Sequence, residues 1–173
     1  MKKTIATLLT LFLALACVAQ APAERYVASD GVLSIRPPAG WIWQAREGSK
    51  YKSAFGPASD VFRANLNFQD EMTAISLDDY ADACIEHILK TYEKLGATNA
   101  KRVSRTEIVT DSKERGIKVA YLCEYKGLQI NSVQYLFDTG KKKLIATFTA
   151  LEAEKAVNDR IFDAAIKTFE IVR

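Results

Sequence analysis

Three cysteines, one histidine and a few paired acids are the side chains here with chemistry to offer. Cys17, Cys84 and Cys123 lie far apart, no Cys-x-x-Cys pair occurs, and a lone His87 cannot complete a Cys/His zinc cluster. No metal and no cofactor is therefore expected. As a general base, His87 would need a nucleophile and an orienting partner within reach. Neither a Gly-x-Ser-x-Gly elbow nor a His-Glu-x-x-His helix is present to supply them. Beside Glu86, at the border of an apolar helical stripe, His87 reads as a structural residue. Asp78-Asp79 and Glu152 with Glu154 suit the first turns of helices, where the dipole favours acids. Asp70-Glu71 reads as a solvated strand end. No catalytic residue is assigned, and the expectation is a protein that is not an enzyme.

Cys17 belongs to a different chemistry. Met1-Lys2-Lys3 is a basic start, Ile5 to Ala16 is apolar apart from threonine, and small residues crowd Ala16-Cys17-Val18-Ala19-Gln20-Ala21-Pro22-Ala23. That sequence of features is a secretory signal. The run is shorter than the roughly 20 apolar residues a membrane span requires. Residues 1–23 are thus expected to be a signal peptide and cleavage region, and the rest to be exported. Leu13-Ala14-Leu15-Ala16-Cys17 also fits a lipobox, in which the thiol carries a diacylglyceryl group, although Ala14 stands where leucine is usual. The rival is cleavage after Ala19 or Ala23, which discards Cys17. Lipidation would leave Val18 to Glu24 as a tether and anchor the protein through buried acyl CH₂ groups at ~0.8 kcal/mol each. The expected location is the periplasm or the outer face of a membrane, with a soluble secreted protein as the alternative.

The remaining chain is close to neutral. Losing Lys2 and Lys3 with no acid lowers the formal charge from +3 by two, to +1, which argues against nucleic acid as a partner. Residues 24–173 have the length of a single domain. Strands are expected over Gly31–Arg36, Tyr51–Phe55 and Val61–Gln69, the last with Phe62, Ala64, Leu66 and Phe68 on a dry face and Arg63, Asn65, Asn67 and Gln69 on a polar one. Ser76 caps a helix whose Leu77, Tyr80, Ala81, Cys84, Ile85, Ile88, Tyr92 and Leu95 recur at three- and four-residue spacing, and Gly96 ends it. Strands follow at 101–110, 117–125, 128–138 and 144–151, with turns short enough for hairpins. A second helix is expected over Glu152–Phe169, with Ile171-Val172-Arg173 as a last extended piece. Strands, helix, antiparallel meander and helix together indicate an α+β fold, a central antiparallel sheet flanked by helices. Cys84 on the helix and Cys123 on a strand could lie beneath the same helix. Exported surroundings permit a disulfide between them; the favoured reading is two buried thiols packing as small hydrophobes.

Several motifs, weak singly, come in a telling order. Ile35-Arg36-Pro37-Pro38-Ala39-Gly40-Trp41 closes a strand. Gly48 and Tyr51 precede Phe55-Gly56-Pro57, then Asn65-Leu66-Asn67-Phe68 and the helix start Ser76-Leu77-Asp78-Asp79-Tyr80. Gln134-Tyr135-Leu136-Phe137 leads to Leu144-Ile145-Ala146-Thr147-Phe148-Thr149-Ala150, and Thr168-Phe169-Glu170 closes the last helix. Over most of Tyr26 to Arg173 this resembles the PsbP-like superfamily, which includes bacterial lipoproteins such as DcrB. The resemblance implies an α/β/α arrangement and a binding or accessory role, with another envelope protein as partner, and it carries over no ligand-binding residue. The alternative is a soluble periplasmic module that binds a small ligand between sheet and helix. Lys141-Lys142-Lys143 reads as a solvated loop tip that Arg102 and Arg105 could extend. Trp41 and Trp43, on one side of an extended segment, are expected to cover the core.

Overall fold

Four long strands joined by tight turns form the frame. In the computed structural model, which describes residues 24–172, these are β6 (Thr98–Val109), β7 (Arg115–Tyr125), β8 (Leu128–Asp138) and β9 (Lys143–Leu151). Before them come β1 (Tyr26–Val27), β2 (Leu33–Ile35), β3 (Ile42–Gln44), β4 (Ser53–Phe55), β5 (Asn65–Glu71) and helix α1 (Leu77–Lys94). After them, a 3₁₀ turn (Glu152–Glu154) leads into α2 (Lys155–Lys167) and β10 (Glu170–Ile171). Residues 1–23, and with them Cys17, lie outside the described residues. The turn between β7 and β8 is Lys126-Gly127, both at positive φ (52° and 76°). Two such residues make the hairpin turn whose twist matches the strands it joins, and Tyr125 accordingly pairs with Leu128.

The main sheet has seven strands in the order β3-β4-β5-β9-β8-β7-β6, every neighbouring pair antiparallel. One face carries Leu66, Phe68, Val133, Tyr135, Phe137, Ala146 and Phe148 into the largest core, covered by Phe162, Ala165 and Ile166 of α2 and by Phe169 just beyond it. The rings of Phe148 and Phe162 stack at 4.4 Å, and those of Phe137 and Phe169 at 4.2 Å. A separate small sheet, β1-β2-β10, closes the same core with Tyr26, Leu33 and Ile35. Trp41 meets Phe162 edge-on at 6.0 Å and Trp43 lies 4.5 Å from Tyr26, so both tryptophans cover this core.

Helix α1 covers part of the other face, above Ile117, Val119, Tyr121, Leu136 and Ile145. The Ser76 Oγ accepts from the Asp79 backbone N–H at 3.1 Å and starts the helix. At its end Gly96, at φ +81°, donates to Glu93 O, and Ala97 donates to Tyr92 O. These two bonds satisfy the last carbonyls in a Schellman motif.

Several local expectations need correction. Strand β5 begins at Asn65, and Phe62, expected beside Leu66 and Phe68, packs instead with Ala97, Cys123 and Ile130 across the sheet. The irregular segment before Asn65 breaks the two-residue alternation that placed it. Leu95, expected on the buried stripe of α1, is 63% exposed, because the helix turns away at Gly96. Asp70, Lys142 and Lys143 are not free, while Lys141 stays exposed. The Asp70 Oδ2 accepts from Lys50 Nζ at 2.5 Å, Tyr51 O–H at 2.9 Å and Lys142 Nζ at 2.9 Å, and Asp30 adds an ion pair to Lys50 at 2.7 Å. Lys143, 3% exposed, pairs with Asp138 at 2.8 Å. Arg105 is held by Asp78 on α1 at 2.5 Å, so it does not extend the triplet.

The Asp70 cluster ties the β1–β2 turn, the segment before β4, the end of β5 and the β8–β9 hairpin together. Burial alone would raise the Asp70 carboxyl, but hydrogen bonds from Lys142, Lys50 and Tyr51 hold it at about 2. A carboxyl depressed on folding stabilises the fold above its unfolded pKa, and that contribution is lost as pH falls through the folded value. Urea unfolding should therefore show about 1–2 kcal/mol of stability lost from this group between pH ~4 and ~2. Asp70→Asn should be less stable at pH 6 and should show a correspondingly flatter fall; an unchanged fall would refute the role of Asp70. A second expectation concerns Gly116, where an added Cβ would stand 2.7 Å from both Leu136 O and the Phe137 ring. Gly116→Ala should cost about 1–3 kcal/mol as overpacking; an unshifted urea midpoint would show that the strand yields.

Candidate binding trough

The face of the sheet beneath α1 changes character from one side to the other. Under the helix, β7 and the nearer parts of β8 and β9 present Ile117, Val119, Tyr121, Leu136 and Ile145. Beyond it the same face turns polar. The register pairs Asn67 with Thr147 and Thr147 with Gln134 in one row, and Asn65 with Thr149 and Thr149 with Ser132 in the next. Because side chains alternate along a strand, these rows lie on one face. The result is a trough of about 450 Å³. Its floor is Asn67, Gln69, Ser132, Gln134, Thr147 and Thr149; one wall is Ile88, Thr91 and Tyr92 of α1 with Leu95 just past the helix; Phe62, Ala97, Cys123, Tyr125 and Ile130 close one end, and Arg46 stands on the rim. The volume lies within the range of small-molecule sites.

The chemistry of the lining is almost wholly neutral. Burial pushes the Tyr92 hydroxyl above its usual value despite the nearby Ser132, and burial likewise raises the Cys123 thiol. Neither is therefore an anion at neutral pH. Gln134 uses its Oε1 to accept from the Tyr121 O–H at 3.0 Å, beneath the trough. The buried Ser132 hydroxyl lies against that of Tyr92. Arg46 donates to the Asn67 Oδ1 at 3.2 Å and forms no ion pair among the described residues. Hydrogen bonds, apolar contact and one cation are what this arrangement offers a ligand.

The residues singled out from the sequence sit differently. Cys123 lines the trough, packed with Ala97 and Ile130, whereas Cys84 is half-buried on α1 near Tyr80 and Tyr121. Both are free thiols and belong to separate clusters. His87 is exposed on α1, its carbonyl accepting from the Thr91 O–H at 2.9 Å, and it does not line the trough. Among the described residues no group of three or more His, Cys, Asp or Glu side chains could hold a metal ion, and no helix is long and apolar enough to cross a membrane. Sequence reading identified the polar face of β5 but missed its continuation. The signal was the alternation of Ser132 with Gln134 and of Thr147 with Thr149 inside otherwise apolar strands.

No protein-family model matches the chain, and no curated protein matches its sequence. Solved structures do. Cyanobacterial PsbP (CyanoP) from Synechocystis superposes with a TM-score of 0.67 at 12% identity, over 90% of this chain and 95% of that one. LpqN of Mycobacterium tuberculosis, described as involved in cell envelope biogenesis, gives 0.63 at 10% identity, over 87% and 90%. The Ran-binding protein Mog1p of Saccharomyces cerevisiae gives 0.60 at 12% identity, over 86% and 95%. Identities this low speak for architecture alone, and the architecture is shared from end to end of the domain: the chain has the PsbP-like fold.

Proposed function

We propose that this chain is an exported, non-catalytic binding protein of the cell envelope, held at a membrane surface through lipidated Cys17, with the trough beside α1 as its binding surface. The observation that supports it is the neutral lining. A site of some 450 Å³ with one cation and no carboxylate, imidazole or lysine among its lining residues is suited to holding a ligand, not to moving protons. The likeness to a protein of cell envelope biogenesis fits an envelope role. A protein partner from the envelope remains compatible with this reading, since Leu95 and Tyr125 expose apolar surface at the mouth.

Two experiments test the two halves of the proposal. Thermal unfolding of the purified protein should be shifted upward by a few degrees in the presence of an envelope extract, as expected for any ligand of the native state. Thr147→Arg, which fills the trough floor, should abolish that shift while keeping the wild-type circular dichroism spectrum. Absence of stabilisation, or stabilisation indifferent to the substitution, removes the trough from the account. Separately, cells fed a radioactive fatty acid should label the protein, and Cys17→Ser should abolish the label. Label that persists in the variant, or none in the wild type, eliminates the lipid anchor and leaves a soluble exported protein.

A further inference from the structure

Arg46 is the only charged residue lining the trough, and no carboxylate answers it among the described residues. Its one hydrogen bond goes to a neutral amide, Asn67, on β5. Arginine seeks planar oxygen anions, to which it donates two parallel bonds. The wall formed by α1 is largely apolar: Ile88 and Tyr92 run along it beside Thr91, and Leu95, just past the helix, is 63% exposed at its mouth. A guanidinium at one side and an apolar wall along the helix define a ligand with the same two parts. Resting on the reading of the trough as a binding surface, we propose that it takes a single-chain amphiphile. The chain lies along α1, and an anionic oxygen group, a carboxylate or a phosphate monoester, is held by Arg46.

Isothermal titration of the purified protein with four twelve-carbon compounds, each below its micelle concentration, tests this. Dodecanoate and dodecyl phosphate should bind, and the stronger of the two names the head group. Dodecanol should bind about tenfold more weakly, the difference a charge-assisted hydrogen bond makes, and dodecyltrimethylammonium more weakly still. Arg46→Gln, at an exposed position, should reduce both anions to the level of dodecanol without changing the unfolding temperature. Leu95→Glu, also exposed, should weaken all but the cation. Equal binding of anion and cation, anion binding unchanged in Arg46→Gln, or no binding of any chain overturns the proposal. If no chain binds while Thr147→Arg still abolishes stabilisation by the envelope extract, the amphiphile falls and the trough stands.

Discussion

The position of β9 between β5 and β8 fixes the chemistry of both faces at once. Along this strand Leu144, Ala146, Phe148 and Ala150 enter the core under α2, while Ile145, Thr147 and Thr149 face α1 and the trough. A slip of one residue would exchange the two sets. Phe148, stacked on Phe162 and edge-on to Tyr135, would then lie in the trough, and two threonine hydroxyls would lie in the dry core. The large core therefore does more than stabilise the domain. By holding Phe148 it holds the trough floor, since the same register that pairs Phe148 with Val133 pairs Thr147 with Gln134 and Thr149 with Ser132.

What was legible in the sequence follows from how locally it is encoded. The meander could be read because each strand ends at its own turn, such as Lys126-Gly127, and α1 because Ser76 and Gly96 cap it through bonds that span a few residues. The small sheet could not. Strand β2 reads as another member of the main sheet, yet it pairs with β1 and with β10 at the far end of the chain, Leu33 opposite Ile171. The Asp70 cluster is equally hidden: Lys142 is 72 residues from Asp70, and only the β5–β9 register brings them together. The lysine triplet looked like a loop tip because sequence shows a run of charge but not the acids that meet it. Half of the trough was visible as the polar face of β5. The other half required knowing that β5 pairs with β9, a contact across the whole of α1 and the meander.

The polar floor also explains why α1 covers only part of its face. A helix buries a stripe, and the stripe of α1 finds apolar partners on β7 and β8. On β9 it would meet Thr147 and Thr149, and covering a hydroxyl without a hydrogen-bonding partner costs about 1–3 kcal/mol. The helix stops where the floor changes character, and the Schellman turn at Gly96 diverts the chain into β6. The trough is thus the boundary between two surface chemistries, kept open by the cost of closing it.

That boundary lies on the opposite side of the sheet from the point where the described chain begins. Tyr26, near the first described residue, is buried in the α2-side core, whereas the trough lies on the other face, with α1 as one wall. A segment leading to a lipidated Cys17 would be at most about 25 Å long, seven residues at 3.3–3.6 Å each, and it would join the domain on the α2 side. Anchoring and ligand capture would then use different faces, with seven strands between them. Such a separation would let a tethered domain present its trough away from the point of attachment, where a ligand would not compete with the anchor.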